Sequence, residues 1–273
     1  MGASLHLMTL NVCGLPSRLA PLPERATLFG GHVERSDLDV VMFQEVWSAR
    51  ILATLKAQLP SFPHVAVRHG LAGQPAGGLA TFSRLPLVAP RYTSYRWTRP
   101  DMGSPRFRIK RAVNGALQGV LTAEVAGLGV VVANTHLTAN KDGDWSAGNR
   151  YHAFHRRQLG RLHEVLRGVG TDRAVVAGDF NIAADSALYP LIVDSGAWHD
   201  PFAATDPVTF HAEYLPDEGP AHRIDYLLVR GSPDRFVIEE SEVLFAAPVR
   251  SDDGRSIHAS DHMALSARVR WRD

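Results

Sequence analysis

At one end of each of six apolar runs of this sequence lie residues that carry a carboxylate, a carboxamide or an imidazole. Carboxylates and imidazoles can move protons, and carboxylate and amide oxygens can hold a hard cation. Charged groups beside hydrophobic strands are costly unless a cation or a partner neutralises them. Strand ends are also where a rigid scaffold presents functional groups to a shared rim. The pattern predicts one convergent site, drawn from Asn11, Gln44, Glu45, Thr135, His136, Asp179, Asn181, Asp225, Ser260, Asp261 and His262.

Each of these groups has a simpler structural interpretation when it is taken alone. The GDFN turn around Asp179 can be ordinary turn chemistry, because Asp and Asn side chains hydrogen-bond their own backbone. Asp225 can pair with the nearby Arg223, and His136 can be a hydrogen-bonded histidine of the core. These interpretations do not explain why all six groups occur in one chain beside hydrophobic strands. The convergent site therefore stands as the prediction.

Hydrophobic periodicity predicts the elements that must position these groups. Ten segments are typical of strands, at 5–12, 39–43, 64–68, 78–83, 115–125, 130–136, 174–177, 224–229, 236–244 and 264–271. Three segments are typical of helices, at 24–34, at 49–59 behind a Ser48 cap, and from about 146 to 169. Ten strands with few helices favour two packed sheets flanked by helices over one doubly wound parallel sheet.

Composition places the chain among globular proteins. It has 273 residues, of which 45% are hydrophobic and 21% are charged, and this excludes disordered and fibrous classes. No stretch reaches the roughly 18 uncharged apolar residues that a membrane helix needs. Without a linker or an internal repeat, residues 1–273 are predicted to form a single domain. The N-terminal residues show no signal-peptide pattern, so we expect a cytoplasmic protein, or a secreted one if a signal has been removed.

Cysteine and histidine usage limits how the fold can be stabilised. The single cysteine, Cys13, cannot close an intramolecular disulfide, so packing must provide the stability. The histidines outside the predicted site, His211 among them, show no zinc-like spacing with cysteines. We therefore predict no structural zinc, and we expect a monomer.

The formal net charge of +1 hides an uneven distribution. Residues 84–111 carry eight basic residues against one acidic residue, so this segment is +7 and the remainder of the chain is −6. Aromatic residues interleave with the arginines, a pattern that suits a phosphate backbone, an anionic membrane surface or a phosphorylated ligand. The basic residues of this segment are Arg84, Arg91, Arg96, Arg99, Arg106, Arg108, Lys110 and Arg111.

The motifs LNVCG, FQEVW, NTHLTA, GDFN, RIDYLL and SDH resemble, in sequence and spacing, those of the endonuclease/exonuclease/phosphatase superfamily of metal-dependent phosphoesterases. The resemblance runs from Leu5 to Trp271. Within the superfamily the chain is most similar to neutral sphingomyelinases, as shown by QEVWSARILATLKAQLP, GGLATFSRLPL and NTHLTANKDGDW. It lacks the paired aromatic tip that bacterial sphingomyelinases carry before SDH. The resemblance implies an α/β fold, a four-layer αββα sandwich of two mixed sheets packed face to face with helices outside.

The resemblance also implies a role for each residue of the site. Glu45 would be the principal Mg²⁺ ligand beside Asn11, with Asp261 completing the acidic cluster and Mn²⁺ able to substitute. Asp179 would accept the proton of the attacking water. The remaining residues would act on the substrate or on one another: Asn181 would orient the water or the phosphate, His136 and His262 would donate to phosphate oxygens, and Asp225 would orient His262.

Three functions are compatible with this site. The first is hydrolysis of a lipid or small-molecule phosphodiester such as sphingomyelin, and it follows from the resemblance. A lipid substrate would be met at a membrane surface. The second is cleavage of DNA or RNA, which the +7 segment favours and the near-neutral total charge disfavours. The third is a non-catalytic binding module, which would require a lost ligand or base. Because every expected position is filled, we rank this last.

Overall fold

The structure is a computed structural model, and it describes residues 2–15, 17, 19–70, 73–98, 100–215, 219–250 and 254–272. Of the basic segment, Arg99 lies outside the described residues. None of the helices within these ranges is both long enough and apolar enough to cross a bilayer. The described α-helices are α1 (Leu22–Arg35), α2 (Ala49–Gln58), α3 (Pro105–Leu117), α4 (His152–Arg167) and α5 (Tyr189–Ile192). The described strands are β1 (Ser4–Asn11), β2 (Val40–Gln44), β3 (His64–Ala66), β4 (Ala80–Ser83), β5 (Leu87–Ser94), β6 (Gly119–Val125), β7 (Val130–His136), β8 (Ala174–Asp179), β9 (Trp198–His199), β10 (Asp225–Arg230), β11 (Phe236–Leu244), β12 (Val249–Arg250), β13 (Ser256–Ile257) and β14 (Ala264–Trp271).

Two mixed sheets of six strands each form the centre of the molecule. The first sheet has the order β11-β14-β1-β2-β4-β3, and the second has the order β5-β6-β7-β8-β10-β9. Each sheet contains one parallel pair, β1 with β2 and β7 with β8, and its other pairs are antiparallel. The carboxyl ends of β1, β2, β7 and β8 are therefore available to build one rim.

Three hydrophobic clusters separate four layers of structure. The cluster between the sheets mixes side chains of both, such as Leu7 and Met42 of the first with Val132 and Leu227 of the second. A second cluster packs α1 and α2 on the outer face of the first sheet. A third packs α4 and α5 on the outer face of the second sheet. The predicted four-layer sandwich is confirmed.

A buried polar contact also joins the two sheets. The Gln44 amide at the end of β2 donates to the Asn134 side chain in β7 at 2.8 Å. The Asn134 amide donates in turn to the backbone carbonyls of Phe43 (3.0 Å) and Ala80 (3.2 Å) in the first sheet. Both side chains are fully buried. Since Glu45 follows Gln44 and His136 lies two residues after Asn134, this contact sets the distance between two edges of the site.

The segment before β6 differs from the sequence-based prediction. Residues 115–117 are the last turn of α3, and the strand predicted at 115–125 begins at Gly119. Ser104 caps α3 by accepting a hydrogen bond from the backbone N–H of Phe107. The helix buries only Arg111 and Gly115, so its apolar residues do not show the periodicity of a helix packed on a core.

The edge strand β5 and the start of α4 also depart from prediction. β5 was not predicted, and it is an exposed edge strand that contains Pro90, a residue tolerated only where no ladder N–H is needed. The helix predicted from about 146 begins at His152. Asp144 accepts the N–H of Ser146 at 2.8 Å and Asn149 accepts that of Tyr151 at 2.8 Å, which holds the preceding residues in turns.

The predicted Ser48 cap of α2 is confirmed, because the Ser48 hydroxyl accepts the backbone N–H of Ile51 at 3.1 Å.

Candidate active site

The polar strand ends meet at one rim of the sandwich. Asn11 ends β1 and Gln44 ends the parallel neighbour β2, so Glu45 begins at the same edge. His136 ends β7 opposite Asp179 at the end of β8. Asp225 opens β10, which is antiparallel to β8, and therefore lies opposite Asp179 as well. The topology thus explains how residues far apart in sequence become neighbours.

Asp179 is the centre of the cluster, and it links the two sheets. Its Oδ2 accepts a hydrogen bond from the Asn11 amide at 3.0 Å. The same oxygen lies 3.4 Å from Nε2 of His136 and 3.7 Å from Nε2 of His262. Its Oδ1 accepts the backbone N–H of Asn181 at 2.8 Å. Burial and the nearby Asp225 carboxylate raise the pKa of Asp179 to about 6, although both imidazoles oppose the shift. A carboxyl group with this pKa can accept a proton near neutral pH.

Asp225 and His262 form a buried dyad. Nδ1 of His262 lies 2.9 Å from Oδ2 of Asp225, which leaves Nε2 directed at Asp179. Burial alone would lower the pKa of His262, but the carboxylates of Asp225 and Asp179 overcome it and raise the pKa well above 6.5. The competing interpretation, a pair between Asp225 and Arg223, is wrong. Arg223 instead binds Asp200 and Asp206, each at 2.7 Å.

His136 differs from His262 in its electrostatics. Burial lowers the pKa of His136, because only the Asp179 carboxylate opposes the loss of solvent. Its Nδ1 is buried without a hydrogen-bond partner among the described residues. The Trp47 ring packs beside the imidazole, with centroids 5.9 Å apart. The site therefore holds one imidazole that favours the charged form and one that favours the neutral form.

Glu45 and Asp261 form an acidic pair whose chemistry fits a divalent cation. Burial and the charge of Asp261 raise the pKa of Glu45, and a hydrogen bond with Asn11 partly offsets the shift. A bound cation would remove this unfavourable interaction, and all three side chains offer oxygen donors of the kind that Mg²⁺ and Mn²⁺ prefer. Glu45, Asn11 and Asp261 are thus suited to hold such an ion. When bound, the ion would polarise the phosphoryl group and stabilise the leaving oxygen.

Two residues of the site have strained backbones that their neighbours enforce. Glu45 has φ +62° and Asn181 has φ +54°, in the left-handed region that favours glycine. A Cβ on Gly14 would lie 1.8 Å from the carbonyl oxygen of Glu45, and one on Gly178 would lie 1.9 Å from that of Thr135. Glycine is required in LNVCG and GDFN because the backbone of a neighbouring segment approaches too closely for any side chain.

All eight predicted site residues lie at this rim, but their contacts differ. Direct side-chain contacts join Asn11, His136, Asp179 and His262, and Asp225 joins through His262. The Asn181 amide donates one N–H to the carbonyl of Leu137 at 3.0 Å, which leaves its second N–H and its side-chain oxygen for other partners. The catalytic and metal-binding roles of these residues stay predictions.

The sequence did not indicate two residues that support the dyad. Thr209 Oγ1 accepts the backbone N–H groups of Ile224 (3.0 Å) and Asp225 (3.1 Å), which fixes the start of β10. The Phe210 ring packs edge-on against His262, with centroids 5.0 Å apart. Neither residue lies in a segment with hydrophobic periodicity, so the sequence carries no signal for them. The structure places Thr209 through its hydrogen bonds and Phe210 through an isolated β-bridge with His262.

Comparison with known proteins agrees with this geometry. The profile of the endonuclease/exonuclease/phosphatase family matches residues 8–262, which include every residue of the site. The chain belongs to this family.

Relatives in the family include sphingolipid hydrolases. An inositol phosphosphingolipids phospholipase C of Schizosaccharomyces pombe is 28% identical over 91% of this chain and 53% of its own length. A human protein, sphingomyelin phosphodiesterase 2, is 23% identical over 96% of this chain and 64% of its own length. This chain therefore spans about half to two thirds of these relatives. The prediction that the chain belongs to this family is confirmed.

A solved structure supports the fold. Beta toxin from Staphylococcus aureus, a double mutant with bound magnesium ions, superposes with a TM-score of 0.70 at 17% identity. The match covers 97% of this chain and 99% of the toxin chain. At this identity the likeness shows the endonuclease/exonuclease/phosphatase fold alone.

Proposed function

We propose that this chain hydrolyses a phosphodiester by direct attack of water, with Mg²⁺ held by Glu45, Asn11 and Asp261. The observation that carries the proposal is the buried Asp179, held among Asn11, His136 and His262 with a pKa of about 6. This carboxylate is suited to take a proton from water, and nothing in the arrangement requires a covalent enzyme intermediate.

The remaining residues act on the phosphate and on each other. The attacking water gives a proton to Asp179 as its oxygen forms a bond to phosphorus, the ester P–O bond breaks, and the departing oxygen takes up a proton from solvent. His262, kept protonated by Asp225, and the neutral His136 donate hydrogen bonds to the non-bridging oxygens, where charge accumulates. Asn181, held by the backbone of Leu137, orients the water or the phosphate.

We further propose a sphingophospholipid as the substrate, because both curated relatives are named for sphingolipid hydrolysis. The surface beside the site supports a lipid. Ile109, Val113 and Leu117 recur every four residues on α3, and each is more than half exposed. Trp97, 76% exposed, precedes the helix. An exposed apolar stripe of this kind is typical of helices that lie in a membrane interface.

The position of α3 relates this stripe to catalysis. The helix connects the end of β5 to the start of β6, where Ser94 pairs with Gly119. Gly119 pairs in turn with His136 at the end of β7. The apolar stripe therefore emerges from strand ends that adjoin the catalytic rim. Exposed basic residues beside it, Arg106, Arg108 and Lys110, would contact phosphate headgroups.

Nucleic acid is the second candidate, and part of the +7 segment is already committed to the fold. The Arg84 guanidinium binds backbone carbonyls of residues 34, 36 and 38 and packs 4.2 Å from the Phe62 ring centroid. Arg111 is buried, and its guanidinium lies over the rings of Phe107 and Tyr151. Both therefore lack the exposure that a phosphate backbone would need.

A substrate panel tests the proposal. Sphingomyelin vesicles, supercoiled plasmid and bis(p-nitrophenyl) phosphate are each incubated with the enzyme in EDTA, then with Mg²⁺ or Mn²⁺ restored. We expect EDTA to abolish turnover of the lipid and the aryl ester, either ion to restore it, and Glu45→Gln to reduce it strongly. Full turnover after chelation would reject the metal-dependent mechanism, and nicking of plasmid alone would favour the nuclease.

The lipid surface is tested separately with Ile109→Ser and Val113→Ser combined. We expect hydrolysis of the soluble aryl ester to be unchanged and hydrolysis of vesicles to fall at least about 10-fold, because two apolar side chains no longer enter the interface. Val249→Ser in β12 removes another exposed apolar side chain and serves as the control. Equal loss on both substrates would instead indicate damage to the fold.

A further inference from the structure

A second cluster of metal-ligating side chains lies outside the catalytic residues. One donor atom from each of His211, Glu213 and His258 lies within 4.8 Å of the others. Nε2 of His258 is 2.5 Å from Oε1 of Glu213, and the rings of His211 and His258 are 4.2 Å apart. The cluster brings the segment after Phe210 against the residues that precede Ser260.

The histidine nitrogens of this cluster are incompletely bonded. Nε2 of His211 is buried without a hydrogen-bond partner among the described residues, and so is Nδ1 of His258. The His211 ring hydrogen-bonds the backbone of Phe245, so that bond belongs to its Nδ1. A histidine that donates one ring N–H to a carbonyl presents a lone pair on the other nitrogen, as metal-bound histidines do. An unpaired buried nitrogen is otherwise a cost to the fold.

We propose that His211, Glu213 and His258 bind a transition-metal dication of the zinc class. Two imidazoles and one carboxylate form a donor set that zinc accepts, whereas Mg²⁺ prefers oxygen donors. When two imidazoles and one carboxylate bind a metal through their lone pairs, the ligand set carries one negative charge, which a dication reverses.

The surroundings allow an ion to enter and leave one position for water. His211 is buried, His258 is half-buried and Glu213 is exposed, so the cluster opens to solvent on the Glu213 side. With three protein ligands, a tetrahedral ion has a fourth position for water. The sequence predicts no structural zinc, because the spacing rules for such sites combine histidines with cysteines. The carboxylate ligand and the 44 residues between Glu213 and His258 conceal this cluster from such spacing rules.

The cluster lies next to the supports of the catalytic dyad. The N–H of His211 donates to the carbonyl of Asp261 at 2.9 Å, and the adjacent Phe210 ring packs on His262. A bound ion would join this segment to the one that carries His262. The ion site itself uses none of the catalytic side chains, so its existence does not rest on the proposed phosphodiesterase activity.

The test measures ion binding to the full chain. Chelator-treated protein is titrated with Zn²⁺ by calorimetry in excess Mg²⁺, and with Co²⁺ by visible absorption. We expect one tight Zn²⁺ per chain and Co²⁺ bands that Zn²⁺ displaces. Glu213→Gln, at an exposed position, and His258→Gln should each weaken binding by more than about 100-fold, beyond the loss typical of residues that only support a ligand. Circular dichroism confirms that the variants are folded.

Two further variants distinguish this site from others. His222→Gln replaces a half-buried histidine that lies 3.3 Å from Asp185, and it should bind Zn²⁺ as the unmodified chain does. Glu45→Gln should also retain the tight ion, because Glu45 belongs to the catalytic pair. Unchanged affinity in Glu213→Gln and His258→Gln, loss of the ion in Glu45→Gln, or no tight Zn²⁺ at all would each overturn the proposal.

Discussion

At the scale of single residues, the site places two carboxylates and two imidazoles in different surroundings. Asp179 and Asp225 are both buried carboxylates, but Asp179 faces two imidazoles and an amide, whereas Asp225 bonds His262 alone among side chains of the described residues. His262 has two carboxylates beside it and favours its charged form. His136 has Asp179 as its one carboxylate neighbour among the described residues, and burial makes it favour its neutral form. A proton acceptor and a cationic donor can therefore coexist within a few ångströms.

Asp179→Asn removes the proposed proton acceptor. We expect kcat to fall by roughly 10² to 10⁴, the usual contribution of a general base, with the melting temperature little changed. Asp206→Asn is the control, because this half-exposed carboxylate pairs with Arg223 and lies outside the predicted site. Turnover of the aryl ester is measured at saturating Mg²⁺. Unimpaired turnover in Asp179→Asn would assign proton transfer to another group.

Asp225→Asn tests whether the dyad keeps His262 charged. Asp225 raises the pKa of His262, so its neutralisation lowers that pKa and His262 loses its proton at lower pH. The alkaline limb of the kcat profile should therefore move to lower pH, and kcat at the optimum should fall. The profile and the thermal melt are recorded for both proteins. A changed melt with an unmoved alkaline limb would show a purely structural role.

At the scale of elements, the strands place the site residues so closely that backbone space becomes limiting. β7 and β8 are parallel neighbours, and Gly178 of β8 faces the carbonyl of Thr135 in β7 with φ +145°. The next residues along each strand are His136 and Asp179. Any side chain at Gly178 would push these two catalytic candidates apart.

Gly178→Ala should destabilise the protein by roughly 2–5 kcal/mol, because an overlap with backbone cannot be relieved by a rotamer change. Gly160→Ala is the matched control. Gly160 is an exposed residue of α4 with nothing within 4 Å of a new Cβ, so alanine should stabilise by about 1 kcal/mol. Urea unfolding measures both. A Gly178→Ala protein as stable as the parent would mean that β7 and β8 separate easily.

At the scale of the whole molecule, the site exists only where the two sheets are held together. Asn11 and Glu45 come from the first sheet, whereas His136, Asp179 and Asp225 come from the second. The apolar layer between the sheets is non-directional, so it does not by itself fix one registration. The Gln44–Asn134 contact is directional and lies beside the rim.

Asn134→Ala should cost roughly 2–5 kcal/mol of stability, since the buried amide of Gln44 and the carbonyls of Phe43 and Ala80 lose a partner. It should also lower kcat, because Glu45 and His136 adjoin the contact. Asn140→Ala, in a half-buried loop, should change stability by less than about 1 kcal/mol. Denaturant unfolding and kcat are measured together. Loss of stability with full turnover would show that the contact does not position the site.

The sequence alone predicted ten of the fourteen described strands, three of the five described α-helices and the residues of the polar rim. Alternation with period two and a polar residue at each strand end are local properties, so they can be read without knowing what each strand packs against. Glycine at positions 14 and 178 is also present in the motifs, although the reason, a close backbone approach, is visible only in three dimensions.

The tertiary structure decided what depends on partners distant in sequence. Asp225 bonds His262 rather than the nearby Arg223, because the Arg223 guanidinium is paired with Asp200 and Asp206. α3 escaped prediction because its apolar residues face solvent and its buried face is narrow. Thr209, Phe210 and the cluster around His211 have no local signature. Hydrogen bonds and ion pairs form between groups that the fold brings close together. Hydrophobic periodicity along the chain does not indicate which distant groups will meet.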